Sequence, residues 1–402
     1  AGGETPVYYD AARGHHADVG GTTPGSMPPD SRTLAEEGVV FDDMLIVEDG
    51  VLREQPIREL LASGPYPARN IDQNIADLAA QVAACARGAD GLRQLAAQQG
   101  EGVVTRYMAY VQAHAEAMVR RMIATLSDGH FRYALDDGAA VEVAVRVDPA
   151  QGSAVIDFTG TSEQRPTNFN APLAVTRAAV LYVLRLLVDE AVPLNEGFLR
   201  PVEIIVPEGS MLNPRAPAAV VAGNVEVSQV VTDALLGALG AMAGSQGTMN
   251  NLTFGDDSYQ YYETIAGGAG AGPGHDGADA IQTHMTNSRL TDPEILETRY
   301  PVLLEQFAIR RGSGGAGERH GGDGTVRRLR FLRPLRAGIL SNRRVVPPFG
   351  LAGGADGQVG VNRVERADGG IEPLASTARI DMEVGDVLVI ETPGGGGYGS
   401  LR

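Results

Sequence analysis

Apolar residues recur at intervals of three and four from about Asn70 to Gln99, through Ile71, Ile75, Leu78, Val82, Leu92 and Leu95. That period puts them near one face of a helix, and Asn70 or Asp72 stands where an N-cap belongs. The same spacing runs from about Gly102 to Ser127, through Val104, Tyr107, Met108, Val111, Ala115, Met118 and Met122. Two such faces in succession predict an antiparallel helix pair. The period then falls to two. Val141, Val143, Val145 and Val147 alternate, DPAQG turns the chain and SAVIDF follows, which predicts a β-hairpin. Further on, the pattern predicts a helix over about Ala174 to Asp189, a buried strand at VEIIV (202–206) and a helix over about Glu226 to Met242. Near the start, TPVYY (5–9) has the texture of an extended segment.

The pattern changes after residue 245. Glycine becomes dense in GGAGAGPG (267–274), RGSGGAGERHGGDG (311–324) and PGGGG (393–397). Short β-like runs lie between, at 261–265, 307–311, 325–331 and 386–390. Glycine at this density marks tight turns or backbone that approaches something closely. The whole predicts a mixed α+β fold, divided loosely into a helix-rich part (1–245) and a glycine-rich β part (246–402).

Composition narrows the function. The 402 residues carry 33 basic and 50 acidic side chains, a formal charge of −17, so a nucleic-acid partner is not expected. Apolar runs are too short for a membrane helix, so no membrane is expected either. The single cysteine, Cys85, sits in a helical pattern as a packing residue and points to a reducing, cytoplasmic setting. All positive side chains besides histidine are arginine, because the chain contains no lysine. That removes a P-loop lysine, a Schiff-base lysine and a lysine general base. If ATP is used, it is bound elsewhere.

Two polar constellations could carry chemistry. In RGHHADVGG (13–21), His15 and Asp18 are three apart, as part of a metal site or a base oriented by a carboxylate. Equally, Asp18 could bond backbone amides in a turn before Gly20 and Gly21. In QTHMTNSR (282–289), His284, Asn287 and Arg289 stand together, and TDPEILE after them fits a capped helix start with Pro293 at its first position. The glycine runs could offer amides to an anion, but none follows a strand and opens a long helix as a dinucleotide site requires.

These segments, read in order, resemble the hydantoinase B/oxoprolinase family. The resemblance runs through ARGHHADVGGTTPGSMP, GTSEQRPTNFNAP (160–172), AGNVEVSQ (222–229), QGTMNN (246–251), YYETIAGGAGAG (261–272), HMTNSRLTDPEILE (284–297), RRGSGGAG (310–317), GGDGTVRR (321–328) and TPGGGGYG (392–399). The segment 284–297 is most similar to the 5-oxoprolinase branch. The resemblance implies an ATP-dependent cyclic-amide hydrolase in which a hydantoinase A-like domain or subunit binds ATP and Mg and phosphorylates the ring carbonyl. The B-type part then opens the ring with water, and the assembly is an oligomer. For 5-oxo-L-proline the product is L-glutamate.

Family members carry a His-Leu-Pro-Asp-like motif about twenty residues upstream of the RGHH segment. The resemblance implies that it completes a divalent-metal site (Mn, Zn or Fe) with His15. This sequence begins after that position, so it reads as the C-terminal part of a B-type module. Asp18 would orient the metal or the loop, and His284 and Asn287 would face the same cavity. Arg289 would take the substrate carboxylate, and Gly268 and Gly270 would bring amides to the oxyanion. A hydantoin hydrolase, a carboxylase subunit and a non-catalytic scaffold for an A-type subunit are the alternatives.

Overall fold

A computed structural model describes residues 6–401. The chain begins with irregular loops, a one-turn helix α1 (Leu34–Glu37), a small ribbon β1 (Val47–Glu48) and β2 (Val51–Leu52), and α2 (Glu54–Leu61). The extended segment expected at 5–9 starts outside the described residues, and no strand forms over 6–9.

Next comes the predicted helix pair, α3 (Ile71–Gln99) and α4 (Glu101–Ile123). Asn70 caps α3 by accepting the Gln73 amide, and Gly100, at φ +85°, reverses the chain between the two helices. The pair is less buried than its periodicity suggested. Of the 29 residues of α3, only Asn74 and Ile75 are buried. The outer half is an arm in solvent, where Leu95, Tyr107, Met108 and Val111 line an open apolar groove of about 670 Å³.

The inner half of α4 packs on a sheet ordered β3 (Gly129–Ala134), β4 (Ala140–Asp148), β5 (Ser153–Asp157) and β6 (Val202–Ile205). β5 and β6 run parallel, and α5 (Leu173–Leu187) forms the crossover. β6 is half-buried rather than buried, since it is the outer strand of its sheet with only β5 as a neighbour. The last predicted helix of this half has two parts. A π-turn spans Gly223–Val227, and α6 follows over Ser228–Ala238. α6 is buried against α5, β3 and β4.

The second half holds two antiparallel sheets and α7 (Pro293–Arg299). Its strands are β7 (Asn251–Gly255), β8 (Gln260–Glu263), β9 (Val302–Arg310), β10 (Gly324–Phe331), β11 (Leu335–Leu340), β12 (Val361–Glu365), β13 (Ile371–Leu374), β14 (Thr377–Met382) and β15 (Val387–Glu391). The orders are β14-β11-β7-β8 and β13-β12-β15-β10-β9. Two large apolar cores result, a smaller cluster of Ala222, Val225, Met249 and Leu340 spans residue 245, and Met285, Val346 and Phe349 pack against the first core. The result is α+β.

The glycine runs interlock with each other. Gly268 N donates to Pro393 O at 3.0 Å, Gly322 N to Ala269 O at 2.8 Å, and Gly395 N to Gly322 O at 2.9 Å. A Cβ on Gly268 would lie 1.9 Å from Gly322 O, and one on Gly395 would lie 1.9 Å from Ala269 O. Only glycine lets backbone stack on backbone this closely.

Candidate functional site

The loop 282–289 lies between β8 and α7 and is anchored from below. Gln229, on α6, donates from Nε2 to Thr283 O and to Thr286 Oγ1. His284 adopts φ +50°, a left-handed conformation that is uncommon outside glycine and persists where the surroundings enforce it. Its side chain is 4% exposed and meets Asp233, itself at 0%, through Nε2···Oδ1 at 3.0 Å. Tyr182 of α5 presents its ring edge-on to the imidazole at 5.9 Å between centroids.

Asp233 is held in turn. Its Oδ1 also accepts the Ser245 amide at 3.1 Å. The segment 245–246 is fixed by the glycine stack, because Gln246 N donates to Gly268 O and Gly270 N to Ser245 Oγ. Gly268 and Gly270 are therefore buried structural glycines. Their amide hydrogens already have acceptors, Pro393 O and Ser245 Oγ, so they do not supply the oxyanion donors expected from the sequence. Asp233 Oδ2 has no partner among the described residues.

Other buried polar groups line the same region. Glu226, in the π-turn, takes three donors on Oε1, from Thr248 Oγ1, the Met249 amide and Asn251 Nδ2. Its Oε2 has no partner among the described residues, and burial pushes its carboxyl up to about 8. Arg343, at φ +63°, stacks 3.6 Å over the Tyr133 ring and donates through Nη1 to Ala134 O. Its Nε and Nη2 are unpaired among the described residues, and a Cβ on Gly247 would lie 2.8 Å from that Nε and 3.2 Å from Asp233 Oδ2. Arg344 is half-buried, and desolvation lowers it to about 10. Buried polar groups are ordinarily hydrogen-bonded, so orphan atoms concentrated around α6 mark a place built for more than packing.

Asn287 and Arg289, expected beside His284, are exposed, so the structure does not bring them into its buried pocket. Instead, Asp233 and Gln229 reach that segment from α6, and Glu226 and Arg343 line the region around it. A signal for the α6 groups was present in the sequence. Glu226, Gln229 and Asp233 fall at i, i+3 and i+7, so the acids and the amide share one helical face, while Ser228 and Thr232 lie on another face of a stretch otherwise made of valine.

The N-terminal constellation is arranged differently. Both oxygens of Asp18 accept hydrogen bonds, Oδ1 from the Gly20 and Arg69 amides and Oδ2 from the Gly25 amide and Arg69 Nη1. Asp18 thus closes a turn and ties it to the start of α3. His16 Nδ1 lies 3.0 Å from Asn74 Nδ2 and 3.7 Å from Asp77. His15 is exposed. Among the described residues no group of three His, Cys, Asp or Glu side chains is placed to hold a metal. With its lone pairs engaged by the Gly20, Gly25 and Arg69 donors, Asp18 is not a free metal ligand.

Fold and sequence together define the class. The hydantoinase B/oxoprolinase family model matches residues 1–401, and the chain belongs to that family. It is 47% identical to 5-oxoprolinase 1 of Arabidopsis thaliana, over 98% of this chain and 33% of that protein. With 5-oxoprolinase of Dictyostelium discoideum it shares 44% identity, over 98% of this chain and 32% of that protein. The chain thus spans about a third of the length of these relatives. An ATP-dependent caprolactamase from Pseudomonas jessenii has a similar structure, with a TM-score of 0.84 at 26% identity, covering 96% of this chain and 71% of that one.

Proposed function

We propose that this chain is the ring-opening, B-type part of an ATP-dependent 5-oxoprolinase, acting with a hydantoinase A-like ATP-binding part. The observation that carries this reading is the 44–47% identity to 5-oxoprolinases over nearly the whole chain. The chemistry is consistent with a division of labour. A five-membered lactam resists water because its amide is resonance-stabilised and its amine is a poor leaving group. ATP, bound by the A-type part, places a phosphoryl group on the carbonyl oxygen. Water then adds to the carbonyl carbon and the ring nitrogen leaves with a proton, giving an acyl phosphate; a second water converts that to the carboxylate and releases phosphate.

In this scheme His284 is the base for water. Asp233 accepts the Nε2 hydrogen, which fixes the tautomer with a lone pair on Nδ1. The lone pair removes a proton from the attacking water, and the imidazolium that forms is stabilised by the Asp233 carboxylate. The absence of lysine agrees with phosphate chemistry located in the partner.

The test uses the full-length enzyme with ATP, Mg and 5-oxo-L-proline, hydantoin or caprolactam as separate substrates. The proposal expects glutamate and ADP in equal amounts from 5-oxo-L-proline, with the other two rings turned over poorly. Preference for hydantoin, or turnover that depends on bicarbonate, would assign the chain to another branch of the family.

A further inference from the structure

Arg343 lies close to the His284–Asp233 pair without bonding to it. It follows β11, is fully buried and takes a left-handed φ of +63°. Its guanidinium lies on the Tyr133 ring, and Nη1 donates to Ala134 O at 2.7 Å. Nε and Nη2 have no partner among the described residues. A buried cation with two unanswered donors is costly unless an anion stands near it.

Asp233 is within its reach, and Gly247 sets the distance. Gly247 has φ +62°, and a Cβ on it would lie 2.8 Å from Arg343 Nε and 3.2 Å from Asp233 Oδ2. Those two atoms are therefore at most about 6 Å apart, and neither has a hydrogen-bond partner among the described residues. Opposite charges at this separation in a buried site favour the ionised form of the acid. Meanwhile Asp233 Oδ1 stays with His284 Nε2 and the Ser245 amide.

The other groups around the pair do not supply this charge. Tyr182 and Tyr133 both face Asp233, and both are pushed up, chiefly by burial, so they stay neutral. Tyr133 also feels Arg343, in the sense opposite to Asp233. Glu226, another buried acid that Arg343 acts on, is pushed up to about 8 by burial and is uncharged at neutral pH. Arg344 turns its guanidinium to Asn362 Oδ1 and Asn342 O.

We propose that Arg343 is a positioning residue, whose charge, set across Gly247, keeps Asp233 ionised so that it accepts the His284 Nε2 hydrogen. The role rests on the ring-opening function proposed above. Without Arg343, His284 and Asp233 form a buried pair of net charge −1. Such a pair takes up a proton more readily, on either member. A proton on His284 Nδ1 removes the base. One on Asp233 turns the acceptor into a donor and selects the wrong tautomer. Either way, activity is lost at a higher pH than in the parent.

The test is the pH dependence of kcat for glutamate formation by full-length Arg343→Met, beside the parent and Arg343→Lys. In Arg343→Met the acid limb should move up by about one pH unit or more, with the rate above it within about tenfold of the parent. Arg343→Lys should return the limb toward the parent position. A limb that stays in place while the rate falls equally at every pH makes Arg343 a packing residue on Tyr133 and overturns the role. Stability gives a second reading that needs no turnover. Asp233→Asn/Arg343→Met removes both charges, so it should recover part of the denaturant midpoint lost by Arg343→Met alone. A double variant that loses the sum of the two single losses, or fails to fold as Arg343→Met does, overturns the pairing. Recovery in a full-length enzyme that does not turn 5-oxo-L-proline over keeps the pairing and removes the proposed function. An unmoved limb in an active enzyme does the reverse.

Discussion

Residues 13–21 and 282–289 look alike in sequence, each with a histidine among small polar residues and glycine or asparagine nearby, yet the fold treats them oppositely. In the first, the acid is three positions from His15 and bonds backbone amides and Arg69, while His15 itself is exposed. In the second, the acid comes from Asp233, 51 positions away, and the pair is sealed between α5, α6 and the glycine-stacked loop. A carboxylate orients an imidazole only when its own lone pairs remain available, and nearness in sequence does not decide that. Surrounding donors do. Asp18 meets four of them, whereas Asp233 keeps Oδ2 unpaired among the described residues.

Substituting Asp233 tests this contrast with the largest effect. Asp233→Asn can donate where the carboxylate accepted, so it favours the wrong imidazole tautomer. Glutamate formation by the full-length enzyme should fall by about 10²–10⁴ in kcat, with KM changed far less. A drop of less than tenfold in a folded variant would reduce the pair to a packing feature.

The polar stripe on α6 gives the next effect. The Glu226 carboxyl, raised to about 8, holds its proton in the folded state while the unfolded chain releases it at an ordinary glutamate pKa. Between those values the folded state binds more protons, so stability falls as pH rises from about 4.5 to 8 and levels off above. Chemical denaturation across that range should show a loss on the order of a few kcal/mol. Glu226→Gln, which keeps the shape, should remove that part of the slope and be more stable than the parent at pH 8. An unchanged slope would mean that Glu226 is ionised in the folded protein.

Much of the architecture was legible in the chain, for local reasons. The helix pair, the hairpin at 141–157 and the capped start of α7 follow from spacing, turn residues and Asp292 accepting the Glu294 amide. The glycine runs announced close approach, but not what approached. Their partners lie in other glycine-rich runs, 53 to 125 positions away for the Gly268–Pro393, Gly322–Ala269 and Gly395–Gly322 bonds, and only the fold reveals them. His284 could be picked out as a polar residue without a local structural task. Asp233 could not be paired with it, because that contact depends on packing α6 beneath the 282–289 loop. Arg289 and Asn287 misled for the converse reason: their sequence neighbour turns inward at φ +50° while they remain outside.

A smaller effect probes the support beneath the pair. Gly268→Ala would set a methyl 1.9 Å from a carbonyl oxygen in a stack with no flexible side chain to yield. It should cost about 1–3 kcal/mol in denaturant midpoint analysis, with activity lost in step because the Ser245–Gln246 segment shifts. The last pair of changes lies in the 13–21 loop, where the smallest effect is expected at His15. Asp18→Ala should destabilise by about 1–3 kcal/mol by leaving donors unanswered, whereas His15→Ala should stay within about 0.5 kcal/mol. Equal effects at the two positions would mean that His15 is held as firmly as its neighbour.

The role of His284 is tested most directly in a single turnover of the full-length enzyme, with ADP and glutamate followed together after 5-oxo-L-proline and ATP are mixed. In His284→Ala, ADP should still form in the first turnover while glutamate lags well behind it, since phosphoryl transfer is complete and water has lost its base. Glutamate appearing in the variant as fast as in the parent would show that the imidazole does not open the ring.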